Sequence, residues 1–161
     1  MHYSIKHATT TEDLAQIAEL FTEYTESLGV DLTFQNFKVE LESLPGKYVA
    51  PGGCLLLASS DDSVPVPLGC VALRPLGDGF CEMKRLYVRT NARGLKLGLA
   101  LMNEAEREAI AAGYIGVRLD TLSTLVAALS MYRSHGFAEI ESYYETPLEN
   151  TVFFEKRFDR D

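Results

Sequence analysis

Leu14, Ile17, Ala18, Phe21 and Tyr24 recur every three to four residues between Thr11 and Gly29. That rhythm predicts an amphipathic helix with one apolar face. Thr11 is its expected cap, with Glu12 and Asp13 in the first turn, where negative charge meets the positive end of the helix dipole. Ahead of it, residues 3–8 alternate and predict a first strand. Behind it, residues 34–44 carry a shorter helical pattern that Pro45-Gly46 stops. The apolar positions then become continuous. Residues 54–58 predict a buried strand, residues 68–73 a second and residues 80–88 a third, with Asp61-Asp62-Ser63 and Pro75-Leu76-Gly77-Asp78-Gly79 as turns. Strands joined by such short turns predict an antiparallel meander.

The second half changes rhythm. Residues 96–112 predict a long amphipathic helix ending at Gly113, and residues 115–119 a strand. Ser123 or Thr124 is the expected cap of a helix running to His135 and ending at Gly136, and residues 137–143 and 152–158 predict two last strands. The order β-α-α-β-β-β-α-β-α-β-β implies an α/β architecture, a mixed sheet flanked by helices. With 161 residues and no repeat, one domain over residues 1–161 is expected.

Composition narrows the picture by exclusion. At 47% hydrophobic and 24% charged the chain is neither disordered nor fibrous. No apolar run approaches the ~18 residues of a membrane helix. The opening residues lack the apolar stretch of a secretory signal, so the cytoplasm is the expected compartment. A formal charge of −8 argues against nucleic acid and suits a cationic substrate as well as plain solubility. Cys54, Cys70 and Cys81 form no Cys-x-x-Cys pair and stand in apolar strand-like stretches, so reduced structural thiols are expected. His2, His7 and His135 show no ligand spacing, and no metal site is expected.

The chemistry gathers after residue 88. Arg89-Thr90-Asn91-Ala92 bridges to Arg93-Gly94-Leu95-Lys96-Leu97-Gly98, where a helix begins. A helix start carries unpaired N–H groups and a partial positive charge, glycines let an anion approach, and Arg93 and Lys96 add charge. The segment is neither a dinucleotide fingerprint nor a Walker loop. By itself it states only that an anion suits this helix start, or that the turn is tight.

Its context adds a resemblance. Leu86-Tyr87-Val88-Arg89, the bridge, Arg93-Gly94-x-x-x-Gly98-x-Ala100-Leu101 and the helix closing at Ala112-Gly113-Tyr114 resemble motif A of the GNAT acetyltransferase superfamily. Ala128-x-x-x-Tyr132-Arg133-x-x-Gly136-Phe137 resembles its motif B, and the order of elements matches over nearly the whole chain. Two departures are visible: Lys96 stands where the family pattern has its first glycine, and Leu125 stands where many members have a CoA-contacting asparagine.

The resemblance implies the GNAT acyl-CoA N-acyltransferase fold, with acetyl-CoA in a cleft between two splayed strands. The backbone of Leu86, Tyr87 and Val88 would bond the pantetheine arm. Arg93, Gly94, Leu95, Lys96, Leu97, Gly98 and Leu99 would surround the pyrophosphate, with the Lys96 side chain turned outward. The implied reaction is acetyl transfer to a primary amine by direct attack in a ternary complex. The Val88 N–H would polarise the carbonyl. Tyr132 would serve as the acid for the leaving thiolate, a phenol of pKa ~10 supplying a thiol of pKa ~8.5. By periodicity alone, Tyr132 shares a helix face with Leu125, Ala128 and Leu129 and reads as core. Glu82 is the candidate base, since its even spacing from Val88 puts both on one face of a regular strand unless a bulge intervenes. Its alternative is a salt bridge with Lys84 or Arg85. For the amine, Glu23, Tyr24, Glu26, Asp31, Tyr143 and Tyr144 supply carboxylates and aromatic faces. Several members dimerise through terminal strands, where Phe153, Phe154 and Phe158 suit an interface or a core. The rival to an enzyme is a non-catalytic acyl-CoA-binding or regulatory module of the same fold. A doubly wound nucleotide-binding fold fits less well, because a three-strand meander precedes the glycine loop.

Overall fold

The computed structural model describes residues 2–31 and 36–159. The elements run β1 (Tyr3–His7), α1 (Thr11–Leu28), α2 (Phe37–Glu42), β2 (Cys54–Ser60), β3 (Pro67–Gly77), β4 (Phe80–Val88), α3 (Leu97–Ala111), β5 (Gly116–Leu122), α4 (Val126–Ser134), β6 (Ala138–Ile140) and β7 (Thr151–Arg157). This is the expected order, with a short 3-10 turn at Thr90–Ala92 added. The predicted helix over 34–44 begins at residues outside those described, and its described part is α2. Among the described residues no helix is long and apolar enough to cross a membrane.

One seven-stranded sheet carries the fold, in the order β1-β2-β3-β4-β5-β7-β6. The meander is antiparallel from β1 to β4, and β4 meets β5 in parallel. Both faces are covered, which is why the central strands are apolar without alternation. On β2, Leu56 and Ala58 enter the core beneath α3, whereas Leu55 and Leu57 enter a second core beneath α1 and α2. On β3, Val71 and Leu73 divide from Cys70 and Ala72 in the same way. All three cysteines are free and buried. Burial pushes the thiols of Cys54 and Cys81 up to about 12. Phe153 and Phe154 are buried within the chain's own core.

Two caps differ from expectation. The cap of α1 is Thr10: its Oγ1 accepts the Asp13 N–H at 3.1 Å, and Asp13 accepts the Thr10 N–H at 3.3 Å. A reciprocal box needs an acid three residues after the cap. Thr10 has Asp13 there, whereas Thr11 would face Leu14. At α4 neither Ser123 nor Thr124 caps; the position falls to Leu125, with no side-chain bond. The Val126 N–H bonds the Thr124 carbonyl instead. Pro75–Gly77 extends β3, leaving Asp78 and Gly79 as the turn before β4.

Candidate functional site

Strands β4 and β5 pair only at Phe80↔Gly116, Cys81↔Val117 and Glu82↔Arg118. Beyond that point β4 runs on to Val88 and β5 to Leu122 without further pairing, so a gap opens between them. The cause is local. Lys84 opposes Ala72 and Tyr87 opposes Cys70, so Arg85 and Leu86 together face Val71. This is a β-bulge, and Arg85 holds its left-handed corner at φ 60°. The Cys70 thiol donates to the Arg85 carbonyl at 3.3 Å.

The bulge reverses the side-chain alternation. Cys81 and Met83 belong to the α3 core, and Leu86 and Val88 pack against it. Glu82, Lys84 and Arg85 turn the other way: Glu82 and Arg85 meet Arg74 and Glu40, and Lys84 pairs with Asp120. The even spacing from Glu82 to Val88 therefore does not place them on one face, and that expectation is corrected. The bulge also orients the main chain. The Arg89 N–H bonds the Leu68 carbonyl at 2.8 Å. Because bonded and non-bonded pairs alternate along an antiparallel ladder, the Val88 N–H opposite Gly69 points away from β3, toward the gap.

A cavity of about 530 Å³ fills this gap. Leu86, Tyr87 and Val88 form one wall, and Arg93, Gly94, Lys96, Leu97, Gly98 and Leu99 form its floor at the start of α3. Leu95, the tenth expected contact, does not line the cavity and packs on the core. The start of α3 has no side-chain cap. Lys96 sits in the left-handed region at φ 57°, which is why a glycine suits that position. Gly98 is not required by packing: a Cβ there would meet only Val88 Cγ2 at 3.8 Å and Met131 Sδ at 4.0 Å. Its bareness leaves main chain open to the cavity, as a bulky anion at a helix start needs. The opposite wall is the start of α4, with Leu125, Val126 and Ala128, and then Tyr132. Tyr132 packs in the core and also reaches the cleft. Its ring packs on Phe137 at 5.4 Å and Phe154 at 5.8 Å, and the residue still borders the cavity. Burial raises its phenol far above the ordinary value, so it stays protonated.

Glu82 lies elsewhere. It lines a second cavity of about 320 Å³ with Glu40, Arg74, Lys84, Arg85, Tyr143 and Tyr144. Its carboxylate is 2% exposed and bonded at both oxygens, by Arg74 Nε at 2.8 Å and by the Tyr143 hydroxyl at 2.6 Å. The expected pairing with Lys84 or Arg85 is thus replaced by Arg74, its direct neighbour across the ladder. Lys84 faces Asp120 at 3.8 Å, and Asp120 accepts the Tyr144 hydroxyl at 2.5 Å. Arg85 grips Glu40 with Nε at 3.1 Å and Nη2 at 2.9 Å. Arg85 borders both cavities and a narrow third one between them, which Tyr24, Lys84 and Asp120 also line.

Of the expected acceptor residues, Tyr143 and Tyr144 line the second cavity and Tyr24 the first. Glu23 instead holds Arg89 at 3.0 Å and accepts the Tyr87 hydroxyl at 3.3 Å. Glu26 is exposed. Sequence reasoning missed Arg74, Lys84, Arg85, Glu40 and Asp120. One signal was present: Lys84 and Arg85 are two cations inside a buried strand, and buried cations need partners.

A sheet opened by a bulge, an uncapped helix at the opening and a tyrosine opposite thus surround one cleft. The Acetyltransferase (GNAT) family matches residues 14–137, and the chain belongs to that family. An uncharacterised N-acetyltransferase of Schizosaccharomyces pombe is 44% identical over 93% of this chain and 91% of its own length. The same fold occurs in a GNAT-family acetyltransferase of Staphylococcus aureus, with a TM-score of 0.79, 20% identity and coverage of 97% of this chain and 99% of that one. It occurs again in the PaiA N-acetyltransferase of Thermoplasma acidophilum, solved with coenzyme A, with a TM-score of 0.75, 21% identity and coverage of 98% and 100%.

Proposed function

We propose that this chain transfers the acetyl group of acetyl-CoA to a primary amine within a ternary complex. The observation that carries this reading is the meeting of two unlike cavities at Arg85, one floored by an uncapped helix start and the other walled by charged side chains. Acetyl-CoA occupies the larger. Its pyrophosphate rests on the first turn of α3 with Arg93 and Lys96 beside it, and its arm runs along the main chain of residues 86–88. The amine approaches from the smaller.

The steps then follow from position. The Val88 N–H, aimed at the gap, polarises the thioester carbonyl and stabilises the oxyanion as the neutral amine attacks. A C–N bond forms and the C–S bond breaks. The Tyr132 phenol, protonated at any working pH, donates to the departing sulfur. The amine's proton leaves through the Tyr143 hydroxyl, which already bonds Glu82, so Glu82 is the base at one remove. Glu82 then releases that proton to solvent and the Tyr132 phenolate takes one back from solvent, so that net a proton passes from nitrogen to sulfur. Arg74 keeps the Glu82 carboxylate in place.

The test has two parts. Acetyl-CoA should raise the melting temperature of the wild type, because a ligand of the folded state stabilises it. An amine screen read by thiol release should find a turned-over acceptor, and Tyr132→Phe should lower its kcat on the order of a hundredfold while retaining the acetyl-CoA shift. No shift overturns the site. A shift without turnover of any amine favours an acyl-CoA-binding module. Unchanged kcat in Tyr132→Phe removes the acid assignment.

A further inference from the structure

At the opposite end of α3 from the anion floor, three metal-ligating side chains from three elements converge. His7 ends β1, Cys54 begins β2, and Glu108 lies in the C-terminal half of α3. One ligand atom of each lies within 4.8 Å of the others. His7 Nε2 stands 2.7 Å from Glu108 Oε1. We propose that His7, Cys54 and Glu108 form a binding site for a single Zn²⁺ ion that clips α3 to the β1–β2 edge.

The donor set fits the metal. Zinc takes sulfur, imidazole nitrogen and carboxylate oxygen at roughly 2.0–2.3 Å in a tetrahedron, which spaces ligand atoms about 3.5 Å apart. To reach that spacing the His7–Glu108 pair, now at 2.7 Å, must open by about an ångström, and any separation near 4.8 Å must close by roughly as much. Both lie within the reach of side-chain rotation. The charges also balance, since a thiolate and a carboxylate neutralise the dication while the imidazole stays neutral. On binding, Zn²⁺ replaces the proton of the Cys54 thiol, which leaves to solvent. The Cys54 side is buried, whereas the His7 side chain is 52% exposed, so an ion has an entry path and solvent can complete a fourth position.

A nucleophilic reading of the same trio is weaker. Burial and the nearby Glu108 push the Cys54 thiol up to about 12, which leaves the metal-free thiol a poor nucleophile, whereas a bound dication deprotonates the thiol that coordinates it. The other two thiols offer no equivalent: within the described residues this is the one cluster of three or more such donors. The spacing of histidines and cysteines along the chain shows nothing of it, because the three donors meet only after β1 pairs with β2 and α3 lies across them.

The experiment uses Co²⁺ as a spectroscopic stand-in and Zn²⁺ as competitor, on reduced protein. Co²⁺ should produce a thiolate-to-cobalt charge-transfer band that saturates at one equivalent and that Zn²⁺ removes. Zn²⁺ should raise the melting temperature. His7→Gln and Glu108→Gln, both at accessible positions, should each weaken binding by on the order of tenfold or more and leave the acetyl-CoA-induced shift intact. Cys54→Ser should abolish the band, while Cys70→Ser should keep it. Should Cys54→Ser fail to fold, the His7 and Glu108 variants decide. Absence of the band at one equivalent overturns the site, as does a band unchanged in both glutamine variants.

Discussion

The two cavities that meet at Arg85 are lined by different means. The larger is lined mostly by main chain, glycine and apolar side chains, and the ladder-free backbone of β4 and the open turn of α3 add to the polar groups that Arg93, Lys96 and Asp120 supply. The smaller is lined by charged side chains already matched to one another: Arg74 with Glu82, and Arg85 with Glu40. Recognition through main chain depends on fold and tolerates side-chain change, and Lys96 holds a left-handed corner that glycine would suit. A network of buried ion pairs depends on every member, because removing one leaves its partner charged and dry. On the proposed reading, the co-substrate side is therefore the robust half of the cleft and the acceptor side the specific half.

Substitutions can break that contrast, and the largest effect is expected at the junction. Arg85→Met strands Glu40, whose side chain is 12% exposed, and should destabilise the fold by about 3–5 kcal/mol in urea denaturation. The double variant Arg85→Met/Glu40→Gln should recover part of the loss. Next in size, Glu82→Gln should lower kcat/KM for the amine by on the order of a hundredfold, with the acetyl-CoA-induced melting shift unchanged. Equal losses on both substrates would erase the division between the cavities.

Smaller effects lie away from the acceptor side. Thr10→Ala removes half of the α1 capping box and should reduce stability by ~1 kcal/mol without touching either substrate. Asp13, in the same box, adds a pH signature. Burial by itself would raise its carboxyl, but Lys6 and the groups of Thr9 and Thr10 together hold it below its ordinary value. A carboxyl lowered by folding contributes stability at neutral pH that is lost as pH falls through the carboxylate range. The stability gap between wild type and Asp13→Asn should accordingly shrink below pH ~4. Smallest of all, Lys96→Gly relieves left-handed strain of ~1 kcal/mol, partly offset by the greater freedom of glycine in the unfolded chain. A net gain of about 0.5 kcal/mol is expected, with acetyl-CoA binding retained if the floor works through main chain.

Local signals carried the larger cavity into view. The strand ending at Val88, the glycines around Lys96 and Tyr132 stand close enough in sequence for motifs to mark them, and β4 keeps its expected bounds. The caps were less legible: at α1 the acid at Asp13 selects Thr10 over its neighbour Thr11, and at α4 no side chain caps at all. The acceptor side was the least legible. Glu82 and Arg74 meet because β3 and β4 are in register, and Tyr143 reaches Glu82 from 61 positions away.

By itself, then, the sequence determined the elements, their order and the glycine-flanked start of α3, because periodicity and backbone freedom are properties of neighbouring residues. Tertiary structure alone decided the bulge at Arg85, the face on which Glu82 lies, the ion pairs of the second cavity and the meeting of His7, Cys54 and Glu108. Each of these depends on ladder register or on packing between distant segments, and a one-residue shift in register turns a side chain to the opposite face.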